Sequence, residues 1–278
     1  EPATFKTAVN QETPFAFAVI SDTQGNPKVS GELAKLAWGQ RPSFLLHPGD
    51  LVSTGKNRDH WLKHFFPGMR PLINHVTFYP VLGNHEQNAK HYYNYVSLPK
   101  PEYYYAFNYG NARFFMIDTN QKVNPGSVQY NWLEKELANS DAEWKFVCHH
   151  HPPYSSDEND YGNLWKTNQG KHGDLRAREL VPLYEKYGVD VVWNGHIHSY
   201  ERTWRVAAGK AVQSGGPFYM ITGGGGGGLE TPAPTRPFFQ NNVRRGHHYV
   251  MVHINGGTLE MKAFTLDDRL FDYYKIEK

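Results

Sequence analysis

The sequence predicts an α/β fold with a largely parallel first part and an antiparallel tail. Two observations carry this. Short apolar runs rich in Phe, Val, Ile and Leu alternate with segments whose apolar residues recur at helical spacing. Toward the C-terminus the pattern changes to period two around Asn255-Gly256-Gly257, which reads as a hairpin. Strands are expected at 15–21, 43–46, 77–82, 113–118, 144–148, 189–193 and 218–222, then at 248–254, 258–265 and 270–276. The continuous runs among them are the pattern of strands covered on both faces. Helices are expected at 29–38, with Leu33, Leu36 and Ala37 on one face, at 58–66, and at 128–139, with Trp132, Leu133 and Leu137 aligned. A fourth, at 176–187, contains Pro182, which should kink it or start a new turn.

A chain of 278 residues is long enough to bury a sizeable core. No linker, charge block or repeat divides it, so residues 1–278 are read as a single domain. The formal charge is only +2 and the basic residues are scattered, which argues against a nucleic-acid partner or a membrane patch. No apolar run approaches the roughly 20 residues of a membrane span. Numbering begins at Glu1 without a Met, so a processed N-terminus is expected, with a secreted or periplasmic location ahead of a cytoplasmic one. The lone cysteine, Cys148, lies in a strand-like run and is expected to be a small core residue.

The polar residues that follow the apolar runs carry the functional signal. Asp22 stands in Ser-Asp-Thr-Gln, Asp50 in His-Pro-Gly-Asp, and Asn84 and His85 in Gly-Asn-His-Glu. His150 stands in Cys-His-His-His-Pro-Pro, and His196 and His198 in Gly-His-Ile-His. Each group falls just past a predicted strand, where ligands bind in open α/β sheets. Two carboxylates, three imidazoles and one carboxamide suit Zn, Mn or Fe, whereas Ca or Mg would call for more oxygen. The count exceeds the three or four protein ligands of one catalytic zinc. With one bridging carboxylate it fits two ions roughly 3.5–4 Å apart, a site that would attract a phosphate.

In this order, Asp22-x-Gln24, Gly49-Asp50, Gly83-Asn84-His85-Glu86, His150-x-Pro152 and Gly195-His196-x-His198 resemble the calcineurin-like metallophosphoesterases. The stretch from Gly195 to Thr203, and Ile221-Thr222-Gly223-Gly224-Gly225, resemble the purple acid phosphatase branch. The resemblance implies a two-sheet β-sandwich flanked by helices, with a binuclear metal centre at the carboxyl ends of the strands. It implies that Asp22 and His198 bind the first metal, that Asp50 bridges both, and that Asn84, His150 and His196 bind the second. His85 would hydrogen-bond the substrate and protonate the leaving oxygen. The reaction implied is hydrolysis of a small phosphate ester, a monoester first, by hydroxide held between two Fe, Mn or Zn ions.

Two positions depart from the family pattern. Many members have a His where this chain has Gln24, which offers the first metal a weaker carboxamide ligand. Purple members place a Tyr three residues after the bridging Asp, where this chain has Ser53. The long loop 155–173 beside His150 is expected to form a substrate wall with Tyr154, Tyr161, Trp165 and His172, and His151 is expected to face the substrate. The glycine run 223–228 is expected to be a packed turn or pocket rim, and the aromatic stretch 92–105 to be surface packing. Three other readings stand beside the monoesterase. They are a phosphodiesterase acting on cyclic nucleotides or phospholipid head groups, a non-catalytic metal- or carbohydrate-binding module, and a nuclease, which the missing basic stripe disfavours.

Overall fold

The structure, a computed structural model, describes residues 3–157, 159–161 and 170–278. Two mixed sheets face each other with helices on their outer faces. The first runs in spatial order β15-β14-β13-β1-β2-β3. Its parallel part is β1 (Phe15–Val19), β2 (Phe44–His47) and β3 (Thr77–Pro80), with Phe17 opposite Phe44. The predicted C-terminal meander, β13 (His248–Asn255), β14 (Thr258–Thr265) and β15 (Leu270–Glu277), adds antiparallel to the other edge of β1.

The second sheet runs β12-β8-β11-β7-β6-β5-β4. Its parallel centre is β5 (Ala112–Met116), β6 (Trp144–Cys148), β7 (Val191–Asn194) and β11 (Phe218–Thr222). Three strands that apolar patterning does not announce complete it: β4 (Tyr105–Tyr109), β8 (Tyr200–Thr203) and β12 (Gln240–Arg244). A small hairpin, β9 (Arg205–Ala207) and β10 (Lys210–Val212), stands apart.

The period of two sorts the side chains. Phe17, Val19, Phe44 and Leu46 meet Phe114, Phe146 and Trp193 between the sheets, while Ala18, Ile20 and Leu45 face outward to helices. Phe17 lies 5.0 Å from the ring of Phe44 and edge-on to Phe114 and Phe146, arrangements that add to simple burial. Helix α1 (Pro27–Gly39) starts where Asn26 Oδ1 accepts the Val29 N–H, with Pro27 in the first turn, where its missing donor costs nothing. It buries Leu33, Ala34 and Ala37 against the first sheet beside α2 (Phe66–Ile73). The expected helix at 58–66 is a π-helical turn, His60–Phe65, running into α2; Pro67 at the junction cannot donate back to the preceding turn.

A short α3 (Lys90–Tyr95) follows the loop after β3, and α4 (Val128–Ala138) covers the second sheet. The helix expected at 176–187 is two pieces, α5 (Leu175–Arg178) and α6 (Val181–Tyr187), with Pro182 opening the second. Gly188 ends α6 at φ 66°, the left-handed stop that glycine adopts freely. No helix among the described residues is long and apolar enough to cross a membrane. The loops leaving the carboxyl ends of β1, β2, β3, β6 and β7 carry Asp22, Asp50, Asn84 and His85, His150, and His196 and His198 in turn.

Candidate metal centre

Three of these loop residues are held in the left-handed region that non-glycine residues avoid: Asp22 at φ 58°, Asp50 at 54° and His196 at 72°. Such strain persists where the surroundings fix it, and it collects at functional sites. Glycines leave the room. A Cβ on Gly83 would overlap the Asp50 carboxylate, and one on Gly195 would overlap Ser21 and the Asp22 carboxylate. The ligand atoms of Asp22, Asp50 and His150 lie within 4.8 Å of one another, as do those of His150, His151 and His196.

The individual contacts describe a cluster with two halves. Asn84 Oδ1 is 3.0 Å from both His150 Nε2 and His196 Nδ1. Asp50 Oδ2 is 3.2 Å from His150 Nε2, and Asp50 Oδ1 accepts the His85 N–H at 2.8 Å. On the other side, Asp22 accepts the His196 N–H with both oxygens and lies 3.5 Å from His198 Nε2. Two of the three remaining ring nitrogens meet carbonyls, His150 Nδ1 donating to Pro48 O at 2.8 Å and His198 Nδ1 to Gly228 O at 2.7 Å, while His196 Nε2 lies 3.5 Å from the Asp160 carboxylate. A donor bond on one nitrogen fixes the tautomer and turns the other nitrogen's lone pair to the centre, the usual support of a ligating histidine. His85 Nδ1 is likewise 2.8 Å from Ser53 O, with Nε2 3.9 Å from Asp50 Oδ2.

This donor set fits a cation. A carboxamide oxygen, two imidazole nitrogens and a carboxylate oxygen converge on one point, a donor set that suits a positive ion. Burial opposes charge on His150, yet Asp50 and Asp22 outweigh it and raise its pKa; the field of the pocket favours positive charge.

Glu86 is the functional residue that the motif reading quoted but left without a role. It is fully buried. One carboxylate oxygen accepts the N–H groups of Asp50 (2.9 Å) and Gly83 (2.7 Å), the other those of Leu51 (2.8 Å) and Val52 (3.3 Å). It clamps the Asp50 loop to the Asn84 loop. Burial, then the Asp50 charge, raises its pKa, but four amide donors address both oxygens and a proton on either would face a donor. The sequence signal was its place directly after two ligand-type residues, Asn84 and His85. Glu86→Gln turns an NH₂ toward these donors. It should lower stability by about 2–4 kcal/mol and lower metal content, read by thermal denaturation and metal analysis. Unchanged melting with full metal would reject the clamp.

The remaining predicted residues divide. Gln24 Nε2 lies 3.0 Å from His198 Nε2 and 3.5 Å from Asp50 Oδ2, so its carboxamide reaches the cluster. Its Oε1 is buried without a partner among the described residues. His151 Nδ1 bonds Thr119 Oγ1 at 2.8 Å and its ring sits 4.7 Å from that of His196, at the edge of the centre. Tyr154 corrects the expectation of a substrate contact. Its ring packs on Tyr219 and Phe239 and under the Arg178 guanidinium, in the core behind the second sheet. Apolar packing took a side chain that sequence proximity to His150 had suggested for the site. His172 packs near Phe239 in the same region, whereas Tyr161 comes within 6.1 Å of the His196 ring; Trp165 lies outside the described residues.

The glycine run is a packed turn. Gly225 and Gly227 donate to Ser21 O and Asp22 O, and a Cβ on Gly227 would strike the His198 ring. Tyr200 and Arg202 point away from the centre and bind Asp272 at 2.5 Å and 2.7–2.9 Å, while Glu201 accepts from Ser156. Asp118 caps its own loop through Asn120 and joins no ligand cluster among the described residues.

A family model for calcineurin-like phosphoesterase matches residues 15–200. The chain is 26% identical over 266 residues to a probable inactive purple acid phosphatase 27 from Arabidopsis thaliana, covering 84% of this chain and 41% of that protein. It is also 26% identical over 266 residues to a nucleotide pyrophosphatase/phosphodiesterase from Hordeum vulgare, covering 84% and 68%. The purple acid phosphatase PPD1 from seeds of yellow lupin, Lupinus luteus, superposes with a TM-score of 0.85 at 19% identity over 96% of this chain and 54% of that one. The chain thus spans less than half the length of the first of these relatives.

Proposed function

The chain belongs to the calcineurin-like phosphoesterase family, and from that premise we propose that it is a two-metal phosphoesterase hydrolysing small phosphate monoesters. The observation that carries the reading is the convergence on one point of Asp50, Asn84, His150 and His196, with the His85 imidazole beside Asp50. Asp22, His198 and the Gln24 carboxamide would hold one ion, Asn84, His150 and His196 the other, and Asp50 both. Such ions, Fe, Mn or Zn, supply positive charge for the phosphoryl oxygens and lower the pKa of water.

The protein's own groups do the rest. Glu86 and the strained turns at Asp22 and Asp50 fix the ligand loops in place before substrate arrives, so little reorganisation is needed. The Ser53 carbonyl accepts from His85 Nδ1 and orients the ring, so that the imidazolium form would direct its Nε2 proton to the departing oxygen. His151, whose ring sits 4.7 Å from that of His196, would bond a phosphoryl oxygen. The cluster of Phe and Trp side chains shared by the two sheets supports reading residues 1–278 as one domain.

A relative named as a nucleotide pyrophosphatase/phosphodiesterase favours a diester as the second reading. Turnover of matched mono- and diesters after loading with Mn or Zn separates the two. Faster diester hydrolysis would overturn the monoester reading. No turnover of either, with metal bound, would leave a metal-binding module.

Colour provides an independent prediction. Ser53 cannot supply a phenolate, Tyr200 is committed to Asp272, and Tyr154 is in the core. Iron-loaded protein should show no intense visible band. Such a band, lost on Tyr161→Phe, would show that the tyrosine near His196 has taken the missing place.

A further inference from the structure

Two cavities among the described residues have walls that differ in charge. One, of about 600 Å³, is walled by Asp157 and Glu230, on the side where Glu230 accepts the His198 N–H. Its carboxylates repel an anionic ester. The other, of about 750 Å³, lies between the loops after β3 and β5 and is lined by Asn88, Tyr93, Tyr103, Gln121, Lys122 and Gln129. It has the size of a small-molecule site and the mixture of aromatic faces with a few polar groups that such sites have.

One wall of the second cavity, Asn88, belongs to the loop that carries His85. Asn88 stands three residues after His85, so its Cα lies no more than about 11 Å away. Gln87 and Asn88 are both left-handed, at φ 54° and 49°. Asn88 Oδ1 accepts the Tyr93 hydroxyl at 2.5 Å, which holds that ring on the cavity wall. Asn120, from the opposite loop, donates to Leu82 O and Gly83 O at 3.2 Å and ties that wall to the loop carrying Asn84. The aromatic stretch is thus divided. Tyr92 and Tyr105 are buried and bond Pro80 O, while Tyr93 and Tyr103 are half-buried and turned to the cavity. Among the described residues no carboxylate pairs with Lys122.

We propose that this cavity is the leaving-group subsite, seating a planar aromatic ring on Tyr93 and Tyr103 with an anionic substituent toward Lys122. It deepens the phosphoesterase reading and rests on it for the word leaving-group. The ring-binding claim is testable without turnover.

The test uses metal-loaded protein and two measurements. The first is the binding of methylphosphonate, phenylphosphonate and 4-carboxyphenylphosphonate; the second is KM for the matching phosphate esters. Stacking of one ring corresponds to about tenfold in affinity. Tyr103→Ala and Tyr93→Ala should each weaken both aryl ligands about tenfold and leave methylphosphonate within about twofold. Tyr103→Phe, which keeps the ring, should bind like the parent and shows that the position tolerates change. Lys122→Ala should weaken only the carboxyphenyl ligand. Equal changes for methyl and aryl ligands, or none for either, would overturn the subsite. Selective aryl weakening in a protein that hydrolyses no ester would keep the ring site and overturn the phosphoesterase reading instead.

Discussion

Asp50→Asn is expected to release at least one metal ion and to cut phosphate-ester turnover on the order of 10³-fold, the scale of losing several kcal/mol of charge stabilisation. Asp50 is buried and contacts both halves of the cluster: His150 through one oxygen, the His85 N–H through the other, with Gln24 at 3.5 Å. Asparagine has almost the same shape, so the loop and its Glu86 bonds should survive. What is lost is a negative charge and one of two acceptor oxygens, replaced by an NH₂ group directed at His150 or His85. Metal per chain and turnover should fall together while the circular dichroism spectrum stays. A variant with both ions and parental turnover would rule out Asp50 as the shared ligand.

His85→Ala should have the second-largest effect, and its size should depend on the leaving group. General acid catalysis contributes about 10²–10⁴-fold. An alkyl ester, whose alkoxide leaves poorly, should lose that much. A p-nitrophenyl ester, which needs little protonation, should lose far less. His85 Nε2 is 3.9 Å from Asp50 and its side chain is partly exposed, so metal content should be unchanged. An equal loss on both esters would assign His85 to binding.

The sequence exposed the fold where burial is two-sided. Strand β6, Trp144–Cys148, matches its apolar run end to end because both faces are covered. Strand β8 was hidden because its Glu201 and Arg202 are polar yet buried, made tolerable by Ser156 and Asp272, partners 45 and 70 residues away. Long-range pairing of that kind leaves no local pattern. Strand β4 begins at Tyr105, the last residue of the aromatic stretch 92–105 that patterning reads as surface, which hid its start. The site was legible because ligand chemistry is local to each loop, and five loops share one end of the strands. Its supports were less so. The clamp by Glu86 depends on backbone groups from two loops, and the packing of Tyr154 depends on Tyr219 and Phe239, which only the folded chain brings near.

The most direct test of the central claim is a titration of chelator-stripped protein with Mn or Zn, following bound metal and ester hydrolysis together. Two ions per chain are expected, with hydrolysis rising only as both sites fill and reaching its limit at two equivalents. Full hydrolysis by stripped protein, or saturation of binding and turnover at one equivalent, would contradict a two-metal phosphoesterase.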